Sequence, residues 1–185
     1  MRYPLILLTF LVTLHCSAQQ DTASATPSFR PTDTGSTVTF EIKNFGINTK
    51  GSFSGLQGKI VFNPAELAAA SFDVSIDAAT INTDNDMRDG HLKKESYFDV
   101  ADYPRIRFVS TKIEAAGKGR YRVTGNLTIK KTTREISFLF TATPMGGDYI
   151  FNGQFTINRR DYEVGGASTI SNGLTVFLTV LARRE

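Results

Sequence analysis

The stretch Thr37-Val38-Thr39-Phe40-Glu41-Ile42-Lys43 alternates apolar and polar residues at every step. Successive side chains of a β-strand point to opposite faces, so Val38, Phe40 and Ile42 would share one face. The polar residues between them would share the other face. This alternation is typical of a strand that is covered on one side and exposed to solvent on the other.

The same pattern recurs along the rest of the chain and predicts about eight strands. The further segments are residues 58–62, 72–77, 105–108, 121–129, 136–140, 149–157 and 174–180. Gly117-Lys118-Gly119 and Gly146-Gly147-Asp148 resemble hairpin turns, because glycine adopts positive φ at little cost. Short joins between consecutive strands predict an antiparallel meander. Alternation alone leaves open whether the meander closes into a barrel or forms a two-sheet sandwich, and whether its interior is filled or hollow.

Two segments break the alternation and favour short helices. In residues 63–70, Asn63 can cap a helix whose first position is Pro64, followed by good helix formers. In residues 86–95, a capping residue among positions 84–86 precedes a segment in which Leu92 would face the barrel. Each helix is too short to be stable without packing against the sheet.

The first residues have the pattern of a secretory signal peptide. Arg2 precedes an apolar run that is too short to span a bilayer, and small residues end at Ala18. Lipidation at Cys16 is the alternative, but His15 occupies a position that normally holds a very small side chain. We therefore predict a signal peptide over residues 1–18, a flexible leader over 19–34 and one domain over 35–185, with no transmembrane segment after cleavage. The protein would be periplasmic or secreted.

Cleavage after Ala18 would leave a chain with no cysteine and with His91 as its only histidine. Disulfides, thiol nucleophiles and cysteine-based metal sites would then be excluded. Loss of Arg2 leaves 20 Lys and Arg against 18 Asp and Glu, a net charge of +2. So small a charge argues against a nucleic-acid partner.

Several blocks in a fixed order resemble the YceI-like family, also called the polyisoprenoid-binding, lipocalin-like family. The blocks are Ile81-Asn82-Thr83-Asp84-Asn85, Arg88-Asp89-Gly90-His91-Leu92, Tyr97-Phe98-Asp99-Val100, Tyr103-Pro104, Phe108-Val109-Ser110-Thr111, Thr124-Gly125-Asn126-Leu127-Thr128-Ile129-Lys130 and Asn158-Arg159-Arg160-Asp161-Tyr162.

The resemblance implies an all-β fold, an eight-stranded antiparallel lipocalin-like β-barrel with one or two short helices. It also implies a secreted bacterial protein that carries or sequesters an amphiphile with an isoprenoid-like tail, such as a polyprenyl phosphate or a quinone. Homodimers are compatible with the family, and neither catalysis nor a cofactor is implied.

The chain departs from the family pattern at two turns. Lys131 and Glu163 stand where the family usually has glycine. A turn that relies on positive φ would be strained with these residues. The segment 165–173 also looks short, so the mouth of the barrel should differ from the family pattern while the fold is kept.

The predicted ligand-binding residues are phenylalanines that share the apolar face of the strands. In a barrel with this family's pattern they would line a hydrocarbon-binding cavity: Phe40, Phe62, Phe72, Phe108, Phe138, Phe140, Phe151 and Phe155. The insertion between the third and fourth strands would act as a fastening and lid, through Arg88, Asp89, His91, Leu92 and Phe98. Arg88, Lys93, Lys94, Arg159 and Arg160 are candidates for contact with a phosphate.

Two alternative functions remain open on the sequence alone. His91 would be the acid–base residue of an enzyme acting on a small amphiphile, if a partner and a substrate lay within hydrogen-bond reach. A barrel packed solid would instead be an interaction module. Asp84-Asn85-Asp86 only partly resembles a calcium loop, because the glycine and glutamate of that motif are absent, and no metal site is predicted.

Overall fold

Each strand pairs antiparallel with the next one along the chain, and the last strand pairs with the first to close a barrel. The computed structural model describes residues 26–167 and 169–185. The strands are β1 Ser28–Asn44, β2 Ile47–Val61, β3 Ser71–Asn82, β4 Arg105–Ala115, β5 Arg120–Ile129, β6 Thr132–Met145, β7 Asp148–Asn158 and β8 Ile170–Arg184. The helix α1 is Asp86–Leu92, and short 3₁₀ turns cover Leu67–Ala69 and Arg159–Tyr162.

Closure of the barrel confirms the predicted eight-stranded fold and excludes the sandwich. The register between β1 and β8 runs from Phe29↔Arg184 to Asn44↔Ile170. A closed barrel leaves no unpaired strand edge, which removes the usual route to edge-to-edge aggregation.

The barrel begins earlier than the alternation predicts. β1 starts at Ser28, so residues 28–34 of the predicted leader belong to the strand. Phe29 is only 1% exposed, and the Asp33 carboxylate accepts hydrogen bonds from the backbone N–H groups of Gly55 and Leu56, both at 2.9 Å. The register of β1 on β2 shifts between Phe29 and Val38. This irregularity interrupts the period-two pattern and explains why the start of the strand carries no clear signal. The predicted signal peptide and its cleavage site lie outside the described residues.

The helices follow the sequence in part. Asn85 caps α1, because its side-chain oxygen accepts a hydrogen bond of 2.9 Å from the backbone N–H of Arg88. In the other predicted segment, Asn63 accepts a hydrogen bond of 3.0 Å from the Ala65 N–H, yet only a 3₁₀ turn forms at Leu67–Ala69. Neither the sequence pattern nor the capping signals predicted the turn at Arg159–Tyr162.

The two ends of the barrel are built differently, and we name them for what lies there. The closed end carries the β4–β5 and β6–β7 turns. The mouth carries α1, the β1–β2 turn, the β5–β6 turn and residues 159–169.

At the closed end, aromatic side chains fill the barrel; we call this group the aromatic plug, formed by Phe29, Phe62, Phe72, Tyr121, Phe140, Tyr149 and Phe151. Phe62 is fully buried at its centre, with ring centroids 5.2 Å from Tyr121 and 5.4 Å from both Tyr149 and Phe151. Most of its ring contacts are edge-on, the geometry that aromatic quadrupoles favour.

Gly125 lies on the inner face of β5, in line with the apolar residues Val123 and Leu127. A Cβ atom there would lie 2.5 Å from the Val109 carbonyl oxygen and 2.6 Å from the Phe108 ring. Only glycine permits this approach, so the Phe108 ring can pack directly against the backbone of β5.

Candidate functional site: an apolar cavity beneath a lid

Between the aromatic plug and α1, the barrel encloses a cavity of about 260 Å³ whose wall is almost entirely apolar. All eight strands of the barrel contribute side chains to this wall. Seven of the eight phenylalanines that the sequence predicts as cavity residues are found there: Phe40, Phe72, Phe108, Phe138, Phe140, Phe151 and Phe155. The structure therefore brings most of the predicted set to one place.

Phe62 is the exception, since it lies in the aromatic plug and not in the cavity wall. Its parity is inward, as predicted. However, it follows the end of β2 at the closed end, where neighbouring rings leave no space. Parity gives the direction of a side chain and contains no information on its depth in a barrel.

Much of the cavity wall is formed by residues outside the predicted set, which contains only phenylalanines from strands with evident alternation. Phe53 lines the cavity from a part of β2 rich in Ser, Thr and Gly, which showed no apolar alternation. Its ring lies 5.7 Å from that of Phe40. The aliphatic residues of β8 had the correct parity and complete the wall: Leu174, Val176, Leu178 and Val180.

The insertion between β3 and β4 covers the cavity as a lid. Arg88, Leu92 and Phe98 of the predicted set line the cavity, and Tyr97 joins them. The Phe98 ring meets the Phe53 ring edge-on at 5.5 Å. Leu92 thus faces the barrel interior, as the spacing of the helix predicts.

Asp89 fastens the lid to the end of β3. Its carboxylate is buried and accepts hydrogen bonds from the Thr83 backbone N–H at 3.0 Å and from the Thr83 hydroxyl at 2.5 Å. The Arg88 guanidinium donates to the same Thr83 hydroxyl oxygen at 2.7 Å and to the Thr83 carbonyl oxygen at 2.6 Å. These bonds satisfy a buried carboxylate whose desolvation would otherwise be costly.

The lid also contacts the loop that follows β7. Gly165 donates its backbone N–H to the Ser96 carbonyl oxygen at 2.9 Å. Gly165 has φ +69°, and a Cβ there would lie 2.8 Å from the Tyr97 ring. Lys130 donates its ammonium to the Glu95 carbonyl oxygen at 2.8 Å. Three separate elements therefore hold the lid in position.

Arg159 organises the loop after β7 and is buried at the cavity wall. Its guanidinium donates to the carbonyl oxygens of Val164 at 2.7 Å, Ser171 at 3.0 Å and Ile170 at 3.1 Å. Burial lowers the pKa of Arg159, and the neighbouring Arg160 charge lowers it further. Arg159 was a candidate for contact with a phosphate. In the structure its guanidinium is hydrogen-bonded to carbonyl oxygens and holds the loop in place.

His91 lies on the solvent side of α1 and does not line the cavity. Its imidazole meets the Tyr97 ring edge-on, with the centroids 4.9 Å apart. Acid–base catalysis needs hydrogen-bond reach of the bound molecule, and the His91 imidazole is not among the side chains that form the cavity wall. Within the described part of the chain, no three or more His, Cys, Asp or Glu side chains are grouped so as to hold a metal ion.

The two departures from the family pattern are turns with left-handed residues. Glu163 has φ +57°, so its backbone takes the conformation that glycine would favour. In the β5–β6 turn the left-handed residue is Lys130, with φ +53°, and not Lys131. Lys131 and Glu163 form an exposed ion pair of 3.1 Å. The predicted backbone strain is therefore present at Glu163 and absent at Lys131, and the strand pairing on both sides of the β5–β6 turn is intact.

Comparison with known proteins gives one consistent result. Residues 29–182 match the model of the YceI-like domain. A UPF0312 protein of Pseudomonas syringae pv. tomato is 32% identical over 149 residues, which cover 77% of this chain and 78% of the relative. No helix within residues 26–167 or 169–185 is both long and apolar enough to cross a membrane.

Solved structures share the barrel. The crystal structure of BcnA from Burkholderia cenocepacia superposes with a TM-score of 0.75 at 28% identity, covering 79% of this chain and 95% of BcnA. A polyisoprenoid-binding domain from Saccharophagus degradans, implicated in plant cell wall breakdown, has a TM-score of 0.68 at 16% identity, covering 85% and 98%. The latter likeness is one of fold. With its family domain matched almost from the first strand to the last, the chain belongs to the YceI-like family.

Proposed function

We propose that this protein is a periplasmic or secreted carrier that binds an amphiphile through an isoprenoid-like tail, such as that of a polyprenyl phosphate or a quinone. The observation that carries the proposal is the enclosed apolar cavity between the aromatic plug and the lid. The shared fold of the polyisoprenoid-binding domain from Saccharophagus degradans supports this class of ligand.

The physical chemistry of the wall suits a hydrocarbon tail. Burial of each CH₂ group contributes about 0.8 kcal/mol, so a short run of isoprene units gives useful affinity without polar contacts. The volume of about 260 Å³ lies just below the range of about 300–1,000 Å³ typical of small-molecule sites. It favours one slender chain, selected by its shape and length.

An enzymatic role for His91 has no support from the geometry, since this side chain lies outside the cavity. A barrel packed solid throughout is also disfavoured, because the aromatic plug fills only the closed end. The carrier hypothesis alone uses both the hollow half of the barrel and the lid.

Native mass spectrometry with lipid extraction of the protein purified from its host tests the proposal. We expect a bound prenyl lipid or quinone, or uptake of added quinone by the empty protein. Val176→Trp should fill the cavity and lower quinone affinity about tenfold or more, whereas Thr156→Trp on the exposed face of β7 should leave it unchanged. Repeated recovery of empty protein with no uptake of either lipid class would overturn the carrier hypothesis.

A further inference from the structure

Three large apolar side chains protrude into solvent at the mouth of the barrel. Phe45 is 75% exposed, Ile47 is 72% exposed and Met87 is 88% exposed. Phe45 and Ile47 flank Gly46 at the tip of the β1–β2 turn, and Met87 lies on α1. Within the described residues, Met145 is the fourth exposed large apolar side chain, at 45%, and it lies at the closed end.

Phe45 is not only exposed but also has an unfavourable backbone conformation. Phe45 and Gly46 have φ +51° and +79°, so both central residues of the turn are left-handed. Asn-Gly is the usual choice for such a turn, and an aromatic residue in the left-handed region is strained. The Phe45 side chain does not pack inside the barrel, so no buried contact offsets the backbone strain or the cost of exposing the ring. The exposed ring is therefore accessible to a partner outside the folded chain.

On the side that faces β3, the hairpin that carries Phe45 extends past the last paired residue of that strand. The pairing of β2 with β3 ends at Ser52↔Asn82, so residues 47–51 of β2 extend past β3. At 3.2–3.4 Å per residue, the extension is about 16 Å along the strand. On the other side, β8 accompanies β1 as far as the Asn44↔Ile170 pair, and the Phe45 N–H donates to the Thr169 carbonyl oxygen at 3.3 Å. The exposed part of the hairpin is therefore the turn itself, where the Phe45 and Ile47 side chains reach solvent.

The charges near the tip favour an anionic surface. Residues 42–54 contain Lys43 and Lys50 and no acidic residue. Glu41, just before this segment, pairs with Lys50 at 3.1 Å, which leaves Lys43 as the net charge beside the tip. Aromatic and aliphatic side chains next to lysine are the composition that binds at the boundary between lipid headgroups and acyl chains.

We propose that the β1–β2 tip docks on an anionic lipid bilayer and brings the mouth of the barrel to the membrane surface. Phe45 and Ile47 enter the interface and Lys43 meets the headgroups. The inference rests on the proposed function, because docking gives a tail in the bilayer a short route into the cavity. Ile42 and Thr49, at the base of the same hairpin, already line that cavity.

Flotation of the purified protein with vesicles of phosphatidylethanolamine and phosphatidylglycerol tests the docking. We expect binding to these vesicles and weaker binding to phosphatidylcholine alone. Phe45→Asn should lower the partition coefficient about tenfold, since it removes one buried aromatic side chain from the interface. Asparagine tolerates the left-handed conformation, so thermal stability should be kept or raised. Met145→Ser at the closed end is the matched control and should bind as the parent does.

Equal vesicle binding by Phe45→Asn and the parent would overturn the docking proposal. So would a dimer seen by analytical ultracentrifugation that Phe45→Asn dissociates, because the tip would then face a second copy. Uptake of quinone added directly in solution separates the two proposals. If Phe45→Asn takes up quinone normally and neither protein binds vesicles, the carrier stands and the docking fails. If the parent binds vesicles but never takes up quinone, the carrier fails.

Discussion

The closed end and the mouth of this barrel are made from the same alternating strands but differ in packing and in backbone energy. At the closed end the rings of the aromatic plug fill the interior, and the turns use glycine where φ is positive, at Gly117, Gly119, Gly146 and Gly147. At the mouth the interior is hollow. All the non-glycine residues with positive φ in the described chain lie there: Phe45, Asp84, Asp99, Lys130 and Glu163.

The tightly packed residues and the strained residues therefore lie at opposite ends of the barrel axis. A left-handed conformation costs an L-residue about 1–2 kcal/mol relative to glycine's freedom, so five such residues at one end represent a sizeable strain. Strain of this kind persists where surrounding structure holds it and clusters at binding sites. The plug supplies the packing that lets the mouth remain hollow and strained.

The largest expected effect comes from truncating the centre of the plug. Phe62→Ala should lower the free energy of unfolding by about 3–5 kcal/mol, because a fully buried ring leaves a cavity that rigid neighbours cannot fill. Phe155→Ala, at the half-buried wall of the existing cavity, should cost about half as much and enlarge the binding space. Urea denaturation of the two variants measures both values. Equal losses would show that the two ends are packed alike.

The lid offers the next contrast, between two neighbouring residues of α1. Asp89→Ala should cost about 2–3 kcal/mol, since it leaves the buried Thr83 N–H and hydroxyl without their acceptor. His91→Gln should change stability by less than about 0.5 kcal/mol, because the imidazole is exposed. Thermal unfolding compares them directly. A large loss in His91→Gln would return this residue to the fastening role that its sequence position predicts.

Relief of strain at the mouth should give a smaller change of the opposite sign. Glu163→Gly should raise the free energy of unfolding by about 0.5–1 kcal/mol, because glycine adopts φ +57° freely and loses part of that gain to chain entropy. Glu163→Gln keeps the strained backbone and removes the charge that faces Lys131, so it serves as the control. If both variants gain alike, the charge and not the backbone is the source.

The smallest effect concerns the outer wall around the plug. Hydrogen bonds from Arg107, at 2.6 and 2.8 Å, hold the pKa of Asp73 below its ordinary value against the opposing effect of burial. A lowered pKa means that the pair stabilises the fold above the ordinary carboxyl pKa of about 3.9 and that this contribution is lost as pH falls below it. Both side chains are about half exposed, so solvent screening limits the contribution to about 1 kcal/mol or less.

Comparison of the parent with Asp73→Asn in urea, from pH 7 down to pH 2, measures this contribution. The two stability curves should converge at the acidic end, since the parent carboxylate is then protonated. A constant gap across the range would assign the difference to packing or to the amide's own hydrogen bonds.

Alternation and turn composition were sufficient to predict the strand number and the meander, and the lid was predicted from the polar insertion together with the family resemblance. They failed where the relevant quantity was position along the barrel axis. Phe62 and Phe72 share a parity, yet only Phe72 reaches the cavity wall. Phe53 was overlooked because a glycine- and serine-rich strand shows no contrast between its faces. His91 lies in the most polar motif of the chain, and the structure places its side chain in solvent. The direction of the side chain depends on the orientation of the short helix α1 about its axis, which the motif does not specify.

The pairing of β1 with β8 has a consequence for how the chain reaches this structure. Phe29 pairs with Arg184, so the two partners that close the barrel lie at opposite ends of the described chain. Closure of so long a loop is slow, and it follows the hairpins that form between adjacent strands. Until the final strand docks, the curled sheet presents two open edges, at β1 and at β7. The last step of folding is therefore also the step that protects these strand edges from pairing with another copy of the chain.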